Sequence, residues 1–174
     1  MLFWPSLAVL VLLVFGLLFL VWLSAIDVKL RLLPDELTLA LAVTGLLFRY
    51  AAYPYAGSWV DAAAGCLMGG GALALVRAVA NRMYGFETMG LGDVKLMAAA
   101  GIWLGIEGIV VALCVGAFAG VAHGLGVLAW RRMKKGSTDT FREMTIPAGP
   151  GFCAGILVVA CIRFAGDLHL FGGA

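Results

Sequence analysis

Six long apolar stretches dominate this sequence and limit what it can fold into. Most approach the roughly 20 residues that a helix needs to cross a bilayer. They run from about Leu2 to Ala25, Glu36 to Tyr53, Trp59 to Ala80, Asp93 to Gly105, Gly108 to Trp130 and Pro147 to Ala165. Only 13% of the residues are charged, against about 25% in soluble domains. The pattern predicts an all-α polytopic membrane protein, a bundle of six transmembrane helices in a single domain that covers residues 1–174.

Basic residues are concentrated in three of the polar connections between these stretches. The connections 25–36, 77–95 and 131–146 hold ten of the twelve lysines and arginines, which leaves only Arg49 and Arg163 for the other side. Because cytoplasmic loops are enriched in lysine and arginine, we expect these three connections in the cytoplasm and both termini outside. Anionic lipid should gather at residues 131–135. No basic cluster is interleaved with aromatic residues, so nucleic-acid binding is not expected.

Asp93 is an unexpected residue at its position. From Asp93 to Glu107 a helix would cover about 21 Å at 1.5 Å per residue, whereas the hydrocarbon core is about 30 Å thick. Asp93 is therefore expected inside the apolar layer near the cytoplasmic side, where a charge costs about 2.5–3.5 kcal/mol. Considered alone, it would suit the N-cap of a helix. Its depth makes it a functional candidate.

A second carboxylate is expected at the same depth in the membrane as Asp93. Asp27 ends the first apolar stretch, on the side predicted to be cytoplasmic. Considered alone, Asp27 would be an interfacial residue at a helix end. Two carboxylates that meet in a low-dielectric site cannot easily both ionise, so one holds a proton while the other stays charged. Such a pair can activate water against a peptide carbonyl and protonate the leaving amine. The sequence contains no H-E-x-x-H motif and no phosphate-binding loop.

The residues around the two aspartates have features that suit a site. Pro34 suits the first turn of the second helix, where Asp35 and Glu36 favour the helix dipole. Gly90 and Gly92 have no Cβ and allow a substrate strand to approach the backbone closely.

Several other patterns predict local structure. Ser58 and Asp61 form a capping box at the start of the third helix. His123 is expected to hydrogen-bond a neighbouring helix. The four cysteines form no C-x-x-C pair, so they are interpreted as small packing residues. Small-residue spacing predicts two close helix crossings, at Gly65, Gly69, Gly70 and Gly71, and at Gly116, Gly120 and Gly124.

Three segments together resemble the type IV prepilin peptidase family, membrane aspartic proteases with a G-x-G-D motif. These segments are "AIDVKLRLLPDELT", "MGLGDVKLMAAAGIWLG" and "IPAGP" at 146–150. The resemblance implies that Asp27 and Asp93 are the catalytic pair, with no metal and no cofactor. It implies prepilin or pseudopilin substrates, cut at the cytoplasmic face of the bacterial inner membrane, after a short basic leader and before a hydrophobic helix.

The resemblance also gives expectations for neighbouring residues. Lys95 either orients substrate and tunes Asp93 or extends to lipid headgroups. Asp35 is a candidate partner for basic residues of the leader. The chain opens in its first apolar stretch and lacks C-x-x-C pairs, like short, peptidase-only members found with tight-adherence pili, so N-methylation is not expected. Two alternatives are a small proton- or cation-coupled transporter and a structural assembly factor that holds partner helices.

Overall fold

The computed structural model describes residues 3–30, 34–52, 58–87, 89–135 and 149–172. Within these ranges the chain forms five helices and no strand, so the all-α prediction is confirmed. The helices are α1 (Phe3–Leu30), α2 (Asp35–Ala51), α3 (Trp59–Tyr84), α4 (Leu91–Lys135) and α5 (Gly149–Gly172). Three segments are long and apolar enough to cross a membrane: Leu7–Asp27, Trp59–Tyr84 and Leu91–Val127. The chain is a membrane protein.

The predicted count of six helices is not confirmed, because the fourth and fifth apolar stretches belong to one element, α4. That element is broken at Gly105, whose backbone has φ 68° and ψ −175°. Glycine adopts this conformation readily because it has no Cβ. The break falls where the predicted fourth stretch ends.

The chain reverses direction at this break. A Cβ added at Gly69 of α3 would contact the Met97 carbonyl and would lie 2.9 Å from Ile109 Cγ1. Twelve residues of straight helix span about 18 Å, so Met97 and Ile109 can approach the same point only if α4 folds back. We therefore describe α4 as two arms, residues 91–104 and 106–135.

Two arginines stabilise the backbone on the first side of the turn. Arg49 Nε of α2 donates to the Ile102 carbonyl, and Arg163 Nη1 of α5 donates to the Leu104 carbonyl, both at 2.7 Å. A helix end leaves its last carbonyls without intrahelical partners, and these side chains supply the missing donors. The two basic residues outside the predicted cytoplasmic connections thus meet at one end of the bundle.

Asp61 stabilises the other side of the turn. Only the Ser58 half of the predicted capping box is present. Ser58 Oγ accepts a hydrogen bond from Asp61 N at 3.1 Å, as expected. The Asp61 carboxylate does not return to its own helix. Its Oδ1 accepts from Ile106 N at 2.9 Å, and its Oδ2 accepts from Arg49 at 3.1 Å. The Asp61 carboxylate therefore binds Ile106 N and Arg49 and not a backbone amide of its own helix.

The two predicted glycine crossings are present. A Cβ at Gly65 would meet backbone of Gly101, and a Cβ at Gly155 of α5 would lie 2.7 Å from Gly116 N. Only Gly71 of the first glycine group faces open space. These contacts hold α3 against the first arm of α4 and α5 against the second arm. The side chain of His123 and residues 146–148 of "IPAGP" lie outside the described residues.

Candidate active site

Asp27 lies on α1, at the end of an apolar segment with a mean hydropathy of 3.0 over Leu7–Asp27. The α-helix continues to Leu30, so Asp27 is a helical residue and not part of the following connection. Its side chain is only 5% exposed. The carboxylate is therefore directed into the protein.

Asp93 lies in the first turn of α4 and is 8% exposed. Because the helix begins at Leu91, Asp93 is inside the helix and is not its N-cap, the local role considered from sequence. A negative charge in the first turn is favoured by the helix dipole. The arm that carries Asp93 is held against α3 by the glycine contacts described above.

The two aspartates lie within electrostatic range of each other, although their positions in the sequence differ by 66. Their carboxylates lie close enough for the two negative charges to repel each other. One oxygen of each, Asp27 Oδ2 and Asp93 Oδ1, is fully buried. Asp93 Oδ1 accepts no hydrogen bond from the described residues. A buried carboxylate oxygen is costly without a donor, and this cost favours the protonated form of the carboxyl group.

A third helix contributes Cys153 to the same place. This α5 residue is 1% exposed, lies within electrostatic range of both aspartates, and is hydrogen-bonded to the side chain of Ser24. Ser24 lies three residues before Asp27, on the same face of α1. The interpretation of the cysteines as small packing residues is confirmed for Cys153, which belongs to the buried core. Its position within electrostatic range of the two aspartates was not predicted, and no signal in the sequence around Cys153 indicates it.

An exposed ion pair joins α2 and α4 two residues after Asp93. Lys95 Nζ lies 2.7 Å from both carboxylate oxygens of Asp35, which is 60 residues away in sequence. Both side chains are largely solvent-exposed, at 48% and 70%. Lys95 thus binds the carboxylate of a second helix with its ammonium group.

Pro34 fixes the start of α2 beside this ion pair. It is the N-cap residue, with φ −62° and ψ 132°, and so precedes the first turn in which it was predicted. Its carbonyl accepts from Thr38 N at 3.3 Å and from Thr38 Oγ1 at 3.1 Å. Asp35 and Glu36 occupy the first turn, as predicted.

The two glycines of "GLGD" leave the approach to Asp93 open. Gly90 is exposed, and a Cβ at this position would lie 3.9 Å from Asp93 Oδ2. Gly92 is half-buried within the first turn of α4. The backbone before Asp93 is therefore accessible at Gly90, and the exposed side chain of Leu91 lies between the two glycines.

Residues 8–125 match the sequence model of the type IV leader peptidase family. The chain belongs to this family. The match includes both buried aspartates and the Lys95–Asp35 pair, but it ends before α5, which supplies Cys153.

Individual relatives are proteins named prepilin leader peptidase/N-methyltransferase. The one from Pectobacterium carotovorum subsp. carotovorum is 39% identical over 123 residues, which is 69% of this chain and 41% of the relative. The Aeromonas salmonicida protein is 35% identical over 134 residues, 75% of this chain and 42% of the relative. The Klebsiella pneumoniae protein is 47% identical over 85 residues, 48% of this chain and 36% of the relative. This leader-peptidase-family chain thus spans about two fifths of the length of these relatives. No solved structure matches it.

The site of this family member holds two acidic groups and one thiol in a buried position. Among the described residues, no group of three or more histidine, cysteine, aspartate or glutamate side chains is arranged to hold a metal ion. The chemistry available from the residues themselves is proton transfer between two carboxylates and a bound molecule.

Proposed function

We propose that this protein is a membrane aspartic endopeptidase that removes the short basic leader from type IV prepilins or pseudopilins. The proposal is carried by two buried aspartates, Asp27 and Asp93, that lie within electrostatic range of each other in a chain of the type IV leader peptidase family. The names of the relatives support the substrate class. The family match favours this function over the transporter and assembly-factor alternatives.

The proposed reaction is direct attack by water on the peptide carbonyl. Like charges at close range cannot both ionise easily, so one carboxyl group of the pair holds a proton and the other accepts one. The charged carboxylate takes a proton from water while the hydroxyl oxygen bonds to the carbonyl carbon. The protonated carboxyl donates its proton to the amide nitrogen, the C–N bond breaks as the tetrahedral oxyanion re-forms a carbonyl, and the neutral amine leaves. The two aspartates have then exchanged protonation states, which a second proton exchange with water restores. No covalent enzyme intermediate forms.

The neighbouring residues are proposed to position the substrate. The backbone at Gly90 and Gly92 would lie beside the extended backbone around the scissile bond, since these residues have no Cβ and Gly90 is exposed next to Asp93. Asp35 is exposed, so it could accept a basic residue of the leader. In the absence of substrate Lys95 occupies that carboxylate, and Pro34 fixes the helix start that presents it.

The proposed topology has six membrane crossings in the bacterial inner membrane, with the aspartates near the cytoplasmic face and both termini outside. It is supported by the reversal of α4 at Gly105, which gives two antiparallel arms in place of one long helix. It is also supported by the basic residues, ten of which fall on the side proposed to be cytoplasmic.

The test is co-expression of a prepilin with the wild-type protein, with Asp27→Asn and with Asp93→Asn. The mature N-terminus of the pilin is read by mass spectrometry, which would also reveal any added methyl group. Both variants should accumulate at the wild-type level in membranes and leave the leader uncut. Glu107→Gln is the matched control, because this exposed carboxylate lies next to the turn of α4, away from the pair. Normal leader removal by either Asn variant would refute the assignment.

A further inference from the structure

The helix α5, like α2, packs against both helices that carry the aspartates, α1 and α4. The side chain of Trp103 on α4 also reaches α1, at Gly16, where an added Cβ would lie 2.8 Å from the ring. That contact is far from the pair, because Gly16 precedes Asp27 by eleven residues, or about 16 Å of helix. Close to Asp27, the position of α1 relative to α4 therefore depends on the helices that lie against both.

The part of α5 around Cys153 is fixed against α4. A Cβ at Gly151 or at Gly155 would lie 3.0 Å or 2.7 Å from backbone atoms of Gly116, on the second arm of α4. Such close approach of two helix backbones is possible because glycine has no side chain. The end of the first arm is also bound to α5, through Arg163. Cys153 lies between the two glycines of α5, so its place relative to α4 is set on both sides.

Cys153 also joins α5 to α1. It is 1% exposed and is hydrogen-bonded to the side chain of Ser24, which is half-buried. Ser24 and Asp27 are three residues apart on one helix, so their Cβ atoms lie about 5–6 Å from each other. The bond between Cys153 and Ser24 therefore attaches α5 to the turn of α1 that carries Asp27.

This turn of α1 needs tertiary contacts to be held in one place. Asp27 lies three residues before the end of α1, in its last turn. The last carbonyls of a helix have no intrahelical partners, and helix ends fray. The fully buried Leu23 holds the preceding turn in the core, but apolar contacts are non-directional. A hydrogen bond, in contrast, constrains both the distance and the angle between its partners.

We propose that Cys153 is a positioning residue for the aspartate pair and that it acts through its hydrogen bond with Ser24. The inference rests on the proposed peptidase function and deepens it. Because α5 is fixed against α4, the bond holds the Asp27 turn at the separation from Asp93 that proton exchange with one bound water requires. A misplacement of about 1 Å at reacting groups can reduce a rate by up to about a hundredfold.

The test compares Cys153→Ala, Ser24→Ala and the double variant with the wild type in the cleavage of a prepilin by the purified protein. Each single variant should lower kcat about three- to tenfold and change KM less than about twofold, because the pair and not substrate binding is disturbed. The double variant should be no slower than the slower single variant, as expected for two partners of one bond. Cys161→Ala is the matched control, since this cysteine is exposed on the same helix, and it should keep the wild-type kcat.

Rescue and pH dependence separate positioning from a general loss of stability. Cys153→Ser keeps a group that can bond to Ser24, so its kcat should return to within about twofold of the wild type. If Asp27 moves away from Asp93, their repulsion weakens and the pair holds its single proton over a narrower pH range. The pH profile of kcat should therefore narrow on its alkaline side in Cys153→Ala and be restored in Cys153→Ser.

Several outcomes would overturn the inference. They are wild-type kcat in both alanine variants, losses that multiply in the double variant, and a Cys153→Ser variant as slow as Cys153→Ala. A lower unfolding temperature with an unchanged kcat and pH profile would also overturn it. Ser24→Ala tests the bond from the other helix, should Cys153→Ala fail to fold. None of these outcomes affects the peptidase function, which is contradicted only if the wild type fails to cut the prepilin or an Asn variant of either aspartate cuts it normally.

Discussion

Arg49 Nη2 lies 3.1 Å from Asp61 Oδ2, and this ion pair joins α2 to α3 beside the turn of α4. The Arg49 side chain is 1% exposed, and it also donates to the carbonyls of Ser58 and Ile102. One guanidinium group therefore connects three helices at the end of the bundle opposite the aspartates. Because the first arm of α4 carries Asp93, this connection also helps to fix where the candidate site lies.

Arg49→Met should lower the free energy of unfolding by about 2–4 kcal/mol, because it removes the buried partner of a partly buried ion pair and the donor to two backbone carbonyls. The loss is measured by reversible unfolding in detergent. Arg82→Met is the control, since Arg82 is an exposed arginine on α3, and it should change stability by less than about 0.5 kcal/mol. Asp61→Asn in the Arg49→Met background should cost less than in the wild type, as expected for coupled residues. Equal effects of Arg49→Met and Arg82→Met would show that the ion pair does not stabilise the fold.

Gly65→Ala and Gly71→Ala should have opposite effects on stability. A Cβ at Gly65 would meet the backbone of Gly101, so alanine should force α3 from α4 at a cost of about 1–3 kcal/mol. At Gly71 a Cβ meets nothing within 4 Å, and alanine should stabilise the helix by up to about 1 kcal/mol. Thermal unfolding of the two purified variants compares them directly. If both variants shift the unfolding temperature in the same direction and by a similar amount, then helix propensity, and not the close contact of α3 with α4, determines the effect of alanine.

The parts of the fold that the sequence predicts are those set by local composition. The all-α class follows from apolar length, the glycine crossings follow from small-residue spacing, and the break in α4 falls where the fourth stretch was expected to end. The two aspartates were identifiable because each is an isolated charge at the end of an apolar run.

The features that the sequence did not predict depend on packing between distant helices. The Asp61 carboxylate was expected to cap its own helix, but the break at Gly105 gives it Ile106 N as a partner 45 residues away. Cys153 resembles the other three cysteines in sequence, and only the placement of α5 beside Asp27 distinguishes it. No periodicity in the sequence encodes such contacts.

The Lys95–Asp35 ion pair gives a prediction that separates positioning of the site from stability of the fold. Lys95→Glu and Asp35→Lys should each reduce prepilin processing by about three- to tenfold, because like charges would then face each other between α2 and α4. The double reversal should recover most of the rate, and none of the variants should lose more than about 1 kcal/mol, since the pair is exposed. Glu87→Lys is the control, because it breaks a similar exposed ion pair, with Arg77 at 3.0 Å, and should leave processing unchanged. If Asp35 acts by binding the leader and not through Lys95, the double variant stays slow and recovers only with a leader whose basic residues have been made acidic.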